Sequence, residues 1–81
     1  MSARRKPLHP VKAKKILKAL TKMGFAARHS KGSHVLLRHV DGRTTTVPVH
    51  PSEEIDRSLF RKIAADLSMN PEELMYLVDE S

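Results

Sequence analysis

The sequence predicts an α+β domain in which a helix, a three-stranded antiparallel sheet and a second helix follow one another, closed by a short third helix. Three observations carry this reading. Apolar residues recur at helical spacing through Ala13, Ile16, Leu17, Leu20 and Met23. β-Branched residues crowd positions 44–49 directly after Asp41-Gly42, a pair that favours a hairpin turn. Asn70-Pro71-Glu72-Glu73 reads as a helix start, with a cap, a proline at the first position and an acid three residues after the cap.

Taken in order, residues 1–9 form a basic flexible arm and residues 10–79 a single domain. The first helix is expected over residues 10–23. Pro10 sits in its first turn, where a missing N–H costs nothing. Lys12, Lys14, Lys15, Lys18 and Lys22 surround this helix too fully for all to meet one ligand. Gly24 suits a left-handed C-cap, with Phe25 folding back on the last turn. Strands are expected over residues 25–29, 33–40 and 43–49, the first two joined by the turn Ser30-Lys31-Gly32. Pro48 cannot donate to a ladder, so the third strand runs along an edge or ends there. Thr45, Val47 and Val49 alternate and face the helices. Val35, Leu36 and Leu37 are consecutive, so either alternation of the second strand could be the buried one. His50-Pro51-Ser52-Glu53-Glu54 makes a connecting loop. Phe60, Ile63, Ala64 and Leu67 mark a second helix over residues 56–67, capped by Asp56 or Ser58. The last helix, residues 71–78, buries Leu74, Leu77 and Val78.

With 81 residues the chain is one small domain, which hides roughly 60–65% of its unfolded surface, so any site must be shallow. It has no cysteine, which removes disulfides, thiolate nucleophiles and cysteine zinc sites and suits a reducing, cytoplasmic setting. No apolar run approaches the ~20 residues of a membrane span. The basic start has no apolar stretch after it, so no signal peptide is expected. The net charge of +6 is unevenly spread. Residues 1–50 carry twelve Lys and Arg against the single acid Asp41, whereas residues 51–81 carry three against eight acids. Such polarity offers a cationic face to a polyanion, although a solvated lysine-rich helix with a basic tail would show the same pattern. One Tyr, two Phe and no Trp leave little for base stacking, so phosphate contacts would dominate.

The element order is similar to that of double-stranded-RNA-binding domains. Locally the resemblance is closer. Gly24-Phe25, Lys31-Gly32-Ser33-His34, Asp41-Gly42-Arg43 and Val47-Pro48-Val49-His50 follow one another as in the HicA family of toxins, which the chain resembles from about Leu8 to Leu77. Ser58-Leu59-Phe60-Arg61-Lys62-Ile63 resembles that family's Gly-Thr-Leu-Arg-x-Ile segment, with Ser58 in place of the glycine and Leu59 in place of the threonine. The resemblance implies a messenger-RNA endoribonuclease that uses no metal ion, a HicB-type antitoxin as partner, and His34 of the Gly-Ser-His motif as the catalytic residue.

The chemistry of those residues agrees. RNA brings its own nucleophile, the 2′-hydroxyl, so cleavage needs mainly proton transfer and stabilisation of phosphate charge. An imidazole serves as general acid or base near neutral pH. Beside His34, Gly32 permits close backbone approach, and Ser33 can bond a phosphate or orient the ring. Lys31 and Arg38 can meet the charge that builds on phosphorus. Lys14, Lys15 and Lys18 are expected to steer RNA, and His50 to bind phosphate or shape its loop. His29 and His39 flank the hairpin, and His9 is incidental. No histidine pair has helical i, i+4 spacing and no acid accompanies them, so neither a metal nor another cofactor is expected. Two other functions fit the same charge pattern: a non-catalytic RNA-binding module, and a basic domain that binds an acidic protein.

Overall fold

The computed structural model describes residues 4–28, 32–49 and 54–81. His29, Ser30 and Lys31, the loop residues 50–53 with His50, and residues 1–3 lie outside the described ranges.

Helix α1 (Ala13–Lys22) buries Ala13, Ile16, Ala19 and Leu20, the stripe that the periodicity marks out. It begins three residues later than expected. Pro10 does not sit in the helix but precedes a short strand, β1 (Val11–Lys12), which pairs antiparallel with β5 (Glu54–Ile55). Val11 stands opposite Ile55 and both are buried, so extended pairing wins over one more helical turn. Part of the expected 50–54 loop is therefore strand. Two-residue strands carry no readable period, which is why this small sheet has no sequence signal.

The other end of α1 closes as a Schellman motif. Gly24 takes φ +100°, the Phe25 N–H donates to the Leu20 carbonyl (3.0 Å) and the Gly24 N–H to that of Thr21 (3.1 Å). Phe25 is thereby turned into the core, and β2 shrinks to Ala26–Ala27. The left-handed backbone favours glycine there, and a Cβ would also stand 3.0 Å from His39 Nε2, so that ring would have to shift by a few tenths of an ångström.

The main sheet runs β2-β3-β4, with β3 (His34–Arg38) in the centre and β4 (Thr44–Pro48) paired through Val35 with Val47 and Leu37 with Thr45. The strand expected over 33–40 ends at Arg38 because His39 and Arg43 close the hairpin, the His39 N–H donating to the Arg43 carbonyl at 2.9 Å. Val40-Asp41-Gly42 forms the three-residue loop, with Gly42 at φ +99°. The open question of the second strand is answered: Leu37 is fully buried whereas Leu36 is 39% exposed. Thr45 and Val47 face inward as expected, and the Thr45 hydroxyl donates to Asp66 Oδ2 at 3.0 Å, so its burial leaves no unpaired group. Pro48 ends β4, and β4 is an edge strand among the described residues.

Helix α2 (Arg57–Asp66) is capped by Asp56 rather than Ser58, its carboxylate accepting the Leu59 N–H at 2.8 Å. Helix α3 (Pro71–Asp79) is capped by Asn70, which accepts from the Glu72 and Glu73 N–H groups. Glu72 and Glu73 lie in the first turn, where the helix dipole favours them. Helices α1 and α2 cover the inner face of the sheet along β4, and α3 packs on both helices. Phe60, Ile63, Leu67, Leu74, Met75 and Val78 fill the space between. Each large side chain so buried contributes about 1.5–3 kcal/mol of transfer free energy. Leu77, expected in this core, is instead 38% exposed, because Leu74, Met75 and Val78 define the packed stripe and Leu77 lies to its side.

Arg43 ties hairpin to helix. Its guanidinium donates to the Leu67 carbonyl (2.8 Å) and to Asp41 Oδ2 (2.8 Å) while lying over the Phe25 ring. The Arg43 backbone N–H and then its side chain hold the Asp41 carboxyl below its ordinary range.

The C-terminal end of α2 repeats the Schellman pattern with a poorer residue. Ser68 adopts φ +56°, with Met69 N–H donating to the Ala64 carbonyl and Ser68 N–H to that of Ala65. A non-glycine residue in that conformation costs about 1–2 kcal/mol, partly offset by the greater unfolded-state freedom of glycine. Ser68→Gly is therefore expected to raise the unfolding free energy by about 0.5–1 kcal/mol in a urea titration. An unchanged or lowered midpoint would mean that Ser68 pays no conformational cost there.

Candidate functional site

The β3 register decides which side chains share a surface. With Val35 and Leu37 turned inward, His34, Leu36 and Arg38 emerge on the opposite face, which none of the described helices covers. Directly opposite residues share a face, so Pro48, Thr46 and Thr44 of β4 stand beside them. From β2, Ala26 lies opposite Arg38. The ladder continues by one residue, the Arg28 N–H donating to the Leu36 carbonyl at 2.7 Å, which sets Arg28 opposite Leu36. The open face thus holds two arginines and a histidine, with threonines and one leucine between them. Among the described residues it carries no acid.

His34 is exposed and is the first residue of the central strand. Ser33 before it is pinned through its backbone, its carbonyl accepting the Val49 N–H at 2.6 Å, while its side chain is exposed. Gly32 takes φ +63°, and a Cβ there would meet nothing within 4 Å, so it is the conformation and not crowding by the protein that asks for glycine. Gly32, Ser33 and His34 are therefore brought together at one end of the open face. No described residue hydrogen-bonds the His34 ring.

Arg38 lies on the same face but four residues along, about 13 Å from His34. Lys31 and His50 fall outside the described residues. Lys14, Lys15 and Lys18 belong to the helical layer. The expectation that the α1 lysines encircle the helix is corrected. Lys14, Lys15, Lys18 and Lys22 are all exposed and fall within an arc of about 100°, opposite the buried stripe. None of the four pairs with a carboxylate among the described residues. This stripe and the sheet face are two separate cationic surfaces.

The arm residues contrast with both. Arg4 donates to the Tyr76 hydroxyl (3.0 Å) and lies over its ring, and Arg5 pairs with Glu73 (3.6 Å). Lys6 pairs with Asp79 and Glu80, and its backbone N–H donates to the Glu72 carbonyl. His9 donates from Nε2 to Asp79 (3.0 Å) and from Nδ1 to the Pro10 carbonyl (2.8 Å). Residues 4–9, expected to form a flexible arm, thus lie along α3, with the charges of Arg5, Lys6 and His9 met by acids and Arg4 held on Tyr76. Nothing in the sequence linked the acids of the last helix to the first nine residues.

The remaining motif residues hold structure. The His39 ring packs on Phe25 at 4.9 Å between centroids and accepts the Asp41 N–H at Nδ1. Leu59, which replaces a threonine in the resemblance, is half-buried against the core. Sequence reasoning missed Arg28. Its signal was the strand pairing itself, which a single sequence does not print. Among the described residues no three metal-ligating side chains come together. Among the described residues no helix is long and apolar enough to cross a membrane.

Among the described residues these features define a class: a small α+β domain with three helices, a three-stranded antiparallel sheet bare on one face, and an exposed histidine at the head of its central strand. The sequence model of a family described as HicA toxin of bacterial toxin–antitoxin systems matches residues 13–69, more than half of the chain. The chain belongs to this family, and so is the toxin of a toxin–antitoxin pair with a cognate antitoxin as its partner. No curated protein matches it.

The strap of residues 4–9 yields a pH prediction. The hydrogen bond to Asp79, then that to the Pro10 carbonyl, raises the His9 pKa above its ordinary 6.5. A raised folded value stabilises the fold fully below that ordinary pKa and loses the effect as pH climbs through the folded one. His9→Ala should therefore lower the melting temperature more at about pH 5.5 than at about pH 8. The difference should stay below about 1 kcal/mol, because the pair is exposed. Equal losses at both pH values would show that His9 contributes only packing.

Proposed function

We propose that this toxin is a metal-independent endoribonuclease that cleaves messenger RNA, with His34 as its general acid and base. The observation that carries the reading is the position of His34. It stands exposed at the head of the central strand, beside the Gly32-Ser33 turn, on an uncovered face with arginines and no described acid.

The imidazole of His34 takes the proton of the 2′-hydroxyl as the 2′-oxygen attacks phosphorus. The 2′-O–P bond forms and the P–O5′ bond breaks. The leaving 5′-oxygen takes up a proton from the imidazolium or water. The products are a 2′,3′-cyclic phosphate and a 5′-hydroxyl. Gly32 and Ser33 offer backbone and hydroxyl groups to the phosphate, with Lys31 adjoining them in sequence. Arg38 holds the strand further along, and His50, two residues beyond Pro48 in sequence, adds to phosphate binding. Lys14, Lys15 and Lys18 attract RNA over longer range. A HicB-type antitoxin inhibits by covering the cationic surface, and opposite charge would speed its association.

A second reading, a non-catalytic RNA-binding module, has one observation in its favour. No described side chain orients the imidazole, whereas catalytic histidines commonly have such a partner.

Purified protein incubated with mixed RNA and EDTA is expected to give fragments with 2′,3′-cyclic phosphate and 5′-hydroxyl ends. A folded His34→Ala variant should lose about 10²-fold or more in rate. Fragments ending in 5′-phosphate would contradict the mechanism. RNA retention without cleavage by either protein would favour the binding module. Replacing Lys14, Lys15 and Lys18 together by alanine should weaken RNA binding with little sequence bias and flatten its salt dependence, the slope of log K against log salt falling by up to about 2. An unaltered slope would remove the stripe from the RNA path.

A further inference from the structure

The sequence cues to the cation that meets the reacting phosphate are Lys31 and Arg38, but the strand pairing brings forward another residue. We propose that Arg28, reaching across from β2, grips the phosphate on which His34 acts. This rests on the ribonuclease reading above and adds to it the residue that fixes the reacting group.

Three observations place it. Arg28 stands opposite Leu36, so it is the diagonal neighbour of His34 on the same face, about 7–8 Å away between backbones. Two side chains that converge over such a diagonal can share one phosphate between their tips. Arg38 is about 13 Å along the strand and meets a different part of the ligand.

The second observation is that Arg28 is uncommitted. It is exposed and forms no ion pair with a described residue. Arg43 is spent on the Leu67 carbonyl and the Asp41 carboxylate, and Arg4 and Arg5 on α3. The third is that its base is held while its head is free. Its backbone N–H is bonded to the Leu36 carbonyl, so the guanidinium swings from a fixed point on the sheet.

An arginine fork suits this task. It donates two parallel hydrogen bonds to phosphate oxygens and keeps its charge at any working pH. While His34 moves the proton, Arg28 carries the charge that gathers on the non-bridging oxygens. Leu36 lies directly across from Arg28, and its apolar surface limits water beside the guanidinium. The open face then has a polarity: proton transfer and phosphate grip at the His34 end, strand guidance at the Arg38 end.

Two measurements test this. The first follows the His34 ring resonances by NMR while inorganic phosphate is added. Arg28→Ala should weaken the apparent phosphate affinity at His34 by about tenfold or more, and Arg38→Ala by less than about twofold. The second measures RNA cleavage, where Arg28→Ala should cost about 10²-fold and Arg38→Ala less than about tenfold. Arg28→Lys should fall between parent and alanine, because a point charge replaces the fork. Arg28 is exposed, so its variants should melt with the parent. If the parent cleaves through His34 and Arg28→Ala matches Arg38→Ala in both assays, the assignment to Arg28 is overturned. If phosphate binding depends on Arg28 but the parent never cuts RNA, the ribonuclease reading fails and the anion site stands.

Discussion

The register between β3 and β4 is the constraint on which the rest of the molecule depends. Leu37 opposite Thr45 and Val35 opposite Val47 face the helices, and this pairing leaves His34, Leu36 and Arg38 in the open. A slip of one residue would exchange the two sets, burying an imidazole and a guanidinium and exposing the core. Thr45 and Arg43 help to prevent it. The Thr45 hydroxyl reaches Asp66 at the end of α2, and the Arg43 guanidinium reaches the Leu67 carbonyl just beyond. Both contacts run from the hairpin to the same end of one helix, so the strand cannot shift without breaking them together. Polar residues within the Asp41-Gly42-Arg43 motif therefore serve the site indirectly, by holding the sheet that presents it.

A small protein with a thin core keeps one sheet face bare at little cost when that face carries polar side chains. Threonines, arginines and a histidine keep it solvated, and among the described residues Leu36 is the one large exposed apolar side chain there. The same economy shows in the charge. Acids on and just after α3 neutralise Arg5, Lys6 and His9, whereas the lysines of α1 and the sheet arginines have no carboxylate partner among the described residues. The strong imbalance between the two parts of the chain is thus partly internal. Much of the arm's positive charge is consumed within the fold, and the α1 lysines and the sheet arginines face outward from two surfaces.

Much of this was legible in the residues. The α1 stripe, the Gly24 and Asn70 caps and the hairpin at Asp41-Gly42 each follow from local chemistry with one strong preference. The family was legible too, because Gly32-Ser33-His34 and the motifs around it keep their order. What stayed hidden depends on partners distant in the chain. The pairing of Val11 with Ile55, the docking of His9 on Asp79 and the exposure of Leu77 are set by tertiary packing, which two-residue strands and lone charges do not announce. The three consecutive apolar residues of β3 left its inner face open, and with it the company that His34 keeps. Arg28 belongs to that class, since only the ladder places it beside the histidine.

The central claim is that function resides on the bare face of the sheet. The most direct measurement is an amide chemical-shift map of the protein with a short RNA whose 2′-hydroxyls are replaced by hydrogen, so that it binds without being cut. The account expects the largest changes at Arg28, Gly32 to His34, Leu36, Arg38 and the outward threonines Thr44 and Thr46, with smaller ones along Lys14 and Lys18. Changes confined to α1 or α3, with the sheet face silent, would contradict it.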